Sequence, residues 1–231
     1  MGKFSAFFLA GAILAAGGFS GGSAVHAAEA SWCKPDKPAR VTIKANTDQV
    51  SYDFSKSEKD LNKFNVDTVN PYGNNVITDV GGLMKGGIET RQAMQFSTLT
   101  HKGLGQVCYW YDKVDVLVHI HPTIYIASEF PRGSCKHEAI MGHEHKHVQV
   151  DREIVNKYVA LIGKAVKAEV DRNMIFGPLP VAEGKATEAW LQRRISSIVK
   201  QYTDMMDAER RTRQQAVDSL PEYERVNKMC K

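Results

Sequence analysis

The sequence predicts an α+β fold in which an antiparallel sheet is followed by two long helices. Three observations predict it. From Val41 to Ala127, short runs carry apolar residues at alternate positions, the period of a half-buried strand. After Gly133 the period changes to about 3.6, placing Ile140, His147, Ile154, Tyr158, Leu161 and Ala165 on one helical face. A turn rich in glycine and proline (Asn173 to Pro180) then separates this helix from a second apolar stripe.

Composition bounds the answer. The 231 residues, 43% of them hydrophobic, suffice for one well-cored domain, expected over 28–231. A formal charge of +4 is too mild to imply nucleic acid. The densest basic run, Arg210-Arg211-Thr212-Arg213, reads as a solvated helix face.

Residues 1–27 read as a signal peptide. Lys3 supplies a positive start, Phe4 to Ala16 an apolar segment, and cleavage is expected after Ala27 or Ala30. The apolar run is too short and too broken by glycine for a membrane span. Cys33 follows Ser31-Trp32 and so lacks the small residues of a lipid-attachment site. The mature chain is therefore expected in the periplasm or outside the cell, without a stable membrane anchor. Its four cysteines then favour two disulfides out of three possible pairings. The expected pairs are Cys108–Cys135 and Cys33–Cys230, the second tying the chain ends together.

Taken in order, Ala39 to Phe54 forms two short strands around Asn46-Thr47-Asp48. Ser55 to Glu58 has capping-box spacing and opens a short helix through Leu61 and Phe64. Turn residues dominate from Asn70 to Gly87. Thr90 to Thr100 and Gln106 to Tyr111 are strands, followed by Val114 to Ile120 and Thr123 to Ala127 with a bend at Pro122. Ser134 is the expected N-cap of a helix running from Cys135 to about Arg172. The second helix is expected from about Val181 to Leu220, ended by Pro221 and packed antiparallel on the first.

The chemistry lies in the first long helix. His143, Glu144 and His147 spell H-E-x-x-H, and residues four apart share one helical face. Two imidazoles there can hold one Zn²⁺, and the intervening Glu144 can act as general base toward a zinc-activated water. The fold class is accordingly zincin-like, and the function a zinc-dependent hydrolase with a peptide or protein substrate. Val150 stands where a histidine-ligand zincin would need glycine, which excludes that class. Asp151, one turn past His147, is expected to accept the N–H of a liganding imidazole.

For the third ligand, antiparallel geometry leads to Glu209. Stepping about 40 Å from the motif to the end of the first helix, then back along the second, arrives there. Glu209 also interrupts the stripe Leu191, Ile195, Ile198, Tyr202, Met205, and a buried carboxylate needs a partner. Asp204, Asp207 and Asp218 are the alternatives. His119, His121 or Tyr125, on the strand before the helix, are candidates to polarise the scissile carbonyl. His137 and His145 point to other helix faces and are expected at the surface. A rival reading is a non-catalytic envelope protein that sequesters zinc or nickel on its histidines.

From the strand region through the helix, the chain resembles a bacterial family, a domain of unknown function described as predicted secreted zinc-dependent proteases. The features carrying the resemblance are Cys108 in a strand-turn-strand stretch, a β-rich run ending near Phe130, Cys135 just before the helix, and the His143–His147 motif itself. Arg213 to Asp218 resembles the family's downstream segment, with Val217 in place of tyrosine and no following His-Gly. The resemblance implies a zincin-like fold and a zinc-dependent peptidase.

Overall fold

The computed structural model describes residues 31–66, 68–73 and 79–230; the expected signal peptide lies outside the described residues. In chain order come β1 (Arg40–Thr47), β2 (Ser51–Asp53), α1 (Glu58–Leu61), β3 (Gly82–His101) and β4 (Gln106–Ile126). They are followed by α2 (Cys135–Arg172), β5 (Phe176–Pro180), α3 (Gly184–Val217) and α4 (Leu220–Lys228). Among the described residues no helix is long and apolar enough to cross a membrane.

Strand β4 is the axis of the sheet. Along one edge it pairs with β3 over nearly its whole length, antiparallel, with one register shift at Gln95/Phe96. Along the other edge β5, β1 and β2 follow one another. β5 is antiparallel to β4, but β1 and β2 are parallel to it. The sheet is therefore mixed, not antiparallel as expected. The reason is topological: β1 and β2 are successive pieces of one edge, and the reversal comes later, in the β3–β4 hairpin.

Pro122 does not bend β4. It falls between the last residue paired with β1, Ile120, and the first paired with β2, Thr123. The carbonyl of Ile120 faces that edge, where it accepts the Asp48 N–H at 3.0 Å. Two residues on, proline's missing donor points to the same edge, where no strand requires it.

Parity then decides what each side chain meets. Val114, Val116, Val118, Ile120, Ile124 and Ile126 are buried and face the helices. The odd residues of this stretch, including His119, His121 and Tyr125, lie on the opposite face. α2 and α3 run in opposite directions, as their contacts show: Glu169 with Arg194, Lys157 with Glu209, His147 with Gln214. Their apolar stripes close a core over the even face of β4 that includes Ile154, Tyr158, Ile162, Leu191 and Ile195.

α2 begins and ends where expected, and the Ser134 side chain accepts the His137 N–H as N-cap. The cap of α1 is Ser57 rather than Ser55: it accepts from Asp60 N, while Ser55 bonds Asp53. Pro221 does not end α3 but starts α4, where a missing N–H costs nothing.

The disulfides are Cys33–Cys108 and Cys135–Cys230, not the expected pairs. Cys108 opens β4 and Cys135 opens α2 beyond its far end. At about 3.3 Å per residue, the strand between holds them roughly 50–60 Å apart.

Two glycines of β3 set how closely α2 approaches the sheet. A Cβ at Gly82 would lie 2.3 Å from Ile140 Cγ2 and 2.9 Å from Glu144 Oε1. At Gly86 it would lie 2.1 Å from Asp151 Oδ2. By contrast, exposed Gly142 within α2 has nothing within 4 Å of such a Cβ. Gly86→Ala is therefore expected to destabilise the fold by about 1–3 kcal/mol through overpacking. Gly142→Ala should stabilise it by about 0.5–1 kcal/mol through helix propensity. Urea unfolding midpoints of the two variants check the opposite signs.

Candidate metal centre

His143 and His147 are both buried where α2 meets the end of α3 and α4, and their Nε2 atoms lie 3.3 Å apart. Each is 3.1 Å from the same atom, Oδ1 of Asp218. The outer ring nitrogens are also engaged. His147 Nδ1 donates to Gln214 Oε1 at 2.5 Å, and His143 Nδ1 lies 3.4 Å from Glu222 Oε1. Acceptors on both Nδ1 atoms place the protons there and leave the Nε2 lone pairs turned toward Asp218.

The donor set fits a metal. Four tetrahedral ligands at zinc distances stand about 3.3 Å from one another, and the three donor atoms here are 3.1, 3.1 and 3.3 Å apart. The buried cluster of His143, His147 and Asp218 can thus hold a metal ion.

Without one, protons must neutralise the cluster. Burial alone would raise the pKa of Asp218, but hydrogen bonds from His143 and His147 outweigh it and hold the carboxyl far below its usual range. Burial alone would lower the pKa of His147, but Asp218 and Glu144 push it up to about 9. Glu144 is 4% exposed, and its pKa is raised, chiefly by that burial. The Met84 backbone N–H bonds its carboxylate.

Asp218 holds the place expected for Glu209. Glu209 instead accepts from Lys157 Nζ at 2.5 Å and Tyr158 O–H at 3.0 Å, away from the motif. The antiparallel estimate failed because the chain between the helices is not a plain turn. It forms β5 and a 3-10 turn at Val181–Glu183 before α3 starts. Extended β5 carries the chain past the end of α2, so the first turns of α3 lie beyond Arg172 and the pairing of the helices shifts by about two turns. Asp218 also terminates α3 as its C-cap, so the periodicity of a helix extended to Leu220 concealed it.

Asp151 does not touch a ligand directly. Its Oδ1 accepts from Gln214 Nε2 at 2.7 Å and from Arg210 Nε at 2.7 Å. Gln214, whose Oε1 takes the His147 proton, also donates to the carbonyl of His147 at 3.2 Å. The expected carboxylate-to-imidazole contact is thus extended by one amide. Gln214 gave no signal in the sequence, being one of two adjacent glutamines in a polar stretch.

His119, His121 and Tyr125 stay on the far face of the sheet and cannot reach the centre. His119 and His121 bond Asp48 there, and Tyr125 stacks near Phe64. His137 is buried rather than exposed, with Nδ1 3.0 Å from the Phe130 carbonyl, whereas His145 lies outside, against the Tyr52 hydroxyl. Tyr223, on α4, was not anticipated. Its ring meets that of His143 edge-on at 5.6 Å, and its hydroxyl bonds Asp218. Burial, then the nearby Asp218 and Glu144 charges, hold its phenol firmly protonated.

His143, Glu144, His147, Asp218 and Tyr223 line one cavity of about 630 Å³. Its opposite wall is the start of β3, Gly81 to Gly86, with Phe64 and Tyr72 at the rim. If Gln214 fixes the orientation of His147, Gln214→Leu should weaken zinc binding by about 10–100-fold. Glu209→Gln should leave it unchanged. Competition titrations against a chromogenic chelator measure both. No family model, curated protein or solved structure matches this chain.

Proposed function

We propose that the chain is an exported zinc-dependent hydrolase, a metallopeptidase, with His143, His147 and Asp218 as ligands and Glu144 as general base. One observation carries the reading: the two Nε2 atoms of H-E-x-x-H converge on a buried carboxylate, with Glu144 beside them in an open cavity. Zinc bound there would supply Lewis acidity, polarising a substrate carbonyl and making water nucleophilic near neutral pH.

The chain's own residues supply the rest. Glu144 takes the proton of the attacking water and passes one to the leaving amine. The Met84 N–H aims its carboxylate, and Gln214 and Glu222 hold the two imidazoles. The protonated Tyr223 phenol can donate to the oxygen on which negative charge develops.

The substrate class follows from the wall of the cavity. Among the described residues β3 pairs on one side only, with β4, and its first residues border the cleft. An extended peptide can hydrogen-bond to such a free edge as an added strand, its scissile bond carried past Glu144. Export is supported by the leader-like first residues and by two disulfides, which persist in oxidising compartments. The resemblance of the strand region and His143–His147 motif to predicted secreted zinc-dependent proteases points the same way.

The test compares wild type, Glu144→Gln and Asp218→Ala. Digests of a peptide library are read by mass spectrometry and metal content by elemental analysis. Glu144→Gln should keep the wild-type metal and lose at least about 100-fold in rate. Asp218→Ala should lose the ion of this centre together with the activity. Metal-loaded Glu144→Gln that cleaves at the wild-type rate would sink the proposal.

A further inference from the structure

On the opposite face of the sheet, a second group of ligand-type side chains converges. His119 and His121 are two apart on β4, so their imidazoles project side by side, with ring centroids 3.9 Å apart. Between them and β1 stands Asp48, in the connection from β1 to β2. Its Oδ1 lies 2.7 Å from His119 Nε2 and its Oδ2 2.6 Å from His121 Nδ1. The connection is fixed there by the Asp48 N–H bond to the Ile120 carbonyl.

We propose that Asp48, His119 and His121 form a second site for a divalent transition-metal ion, open to solvent and independent of the proposed active centre. Two imidazoles and one carboxylate are the donors that zinc, nickel and copper favour. All three ligand atoms lie within 4.8 Å of one another.

Two further contacts point to a cation. His119 Nε2 is 3.0 Å from Asn46 Nδ2 as well as 2.7 Å from Asp48 Oδ1. One ring nitrogen cannot donate to the carboxylate and accept from the amide together. With its amide turned over, Asn46 offers Oδ1 in the same place, a fourth donor atom facing the same point. On its outer side, His121 Nε2 faces Glu89 Oε2 at 3.9 Å, and Arg91 holds Glu89 through two hydrogen bonds of 2.8 and 2.7 Å. At 3.9 Å this is a charge contact rather than a hydrogen bond, and it adds negative potential beside the two imidazoles.

The side chains of His121 and Asp48 are 45% and 46% exposed, so an ion would retain water at its open positions. Asp48 lies in a connection rather than in a strand, and its carboxylate can swing to widen the cluster from hydrogen-bond to ligand spacing. An ion there would tie β1, the β1–β2 connection and β4 together at the break in that sheet edge.

The experiment loads the untagged full chain with excess Zn²⁺ or Ni²⁺, removes free ion and counts metal per chain. Wild type is compared with His121→Ala, Asp48→Asn and His147→Ala, with circular dichroism to confirm that each folds. About two ions in wild type and about one in His121→Ala and in Asp48→Asn are expected. His147→Ala should lose the other ion and keep this one. Copper loading of His147→Ala, which removes the other centre, should then give a two-nitrogen electron paramagnetic resonance signature that the His121→Ala/His147→Ala double variant lacks. Folded His121→Ala and Asp48→Asn proteins that retain the wild-type metal count would overturn the proposal, whatever becomes of the active-centre reading.

Discussion

A carboxylate held out of water must find a positive partner, and this constraint organises the helical half of the molecule. Four carboxylates are buried among the described residues: Glu144, Asp151, Glu169 and Asp218. Two of them have an arginine, Arg210 for Asp151 and Arg194 for Glu169. Glu144 and Asp218 face the imidazoles of His143 and His147 instead. In the absence of metal, a proton held by His147 up to about pH 9 supplies the balancing charge. A divalent ion at the same point would balance both carboxylates at once, so the electrostatics and the donor spacing lead to one conclusion.

The arginine pairs do more than neutralise. Glu169–Arg194 and Asp151–Arg210 cross from α2 to α3 at different heights and so fix the register between the helices. That register decides which residue of the second helix arrives opposite H-E-x-x-H. A slip of one turn would carry Asp218 about 5 Å along the axis and out of reach of both Nε2 atoms. Gln214 belongs to both systems, joining the Asp151 ion pair to His147. The spacing of the three donor atoms is therefore inherited from helix packing, with little left to loops.

Local patterns in the sequence made α2, its Ser134 cap and the shared face of His143 and His147 legible, because capping and helical periodicity act within a few residues. Features set by long-range pairing were less legible. Which carboxylate meets the two histidines depended on how far the connection between the helices extends, and β5 had no periodic signature strong enough to show that it is a strand. The disulfides depended on how far β4 runs without a break, and Pro122 suggested a break that the gap between β1 and β2 makes unnecessary. The placement of His119 and His121 was readable in principle. Val114, Val116, Val118 and Ile120 mark the even face as the core, so the intervening histidines had to point away from α2. Their distance from H-E-x-x-H in space, despite proximity in sequence, follows from that parity alone.

The last pieces of the centre come from a helix that cannot hold itself in place. α4 has nine residues and buries none of them fully, so apolar packing alone fixes it weakly. Its position rests on two other devices. One is the Cys135–Cys230 bond, which ties the second residue after α4 to the first residue of α2. The other is Glu222, which meets Lys146, Arg225 and His143 together. Through them α4 presents Glu222 to one ligand and Tyr223 to the cavity. A chain with this bond reduced would keep His143, His147 and Asp218, since α2 and α3 hold those three. It would hold Glu222 and Tyr223 in place through the Glu222 contacts with Lys146 and His143 alone. Convergence of His143, His147 and Asp218 is thus a property of the helix pair, whereas the α4 side of the cavity depends also on the disulfide.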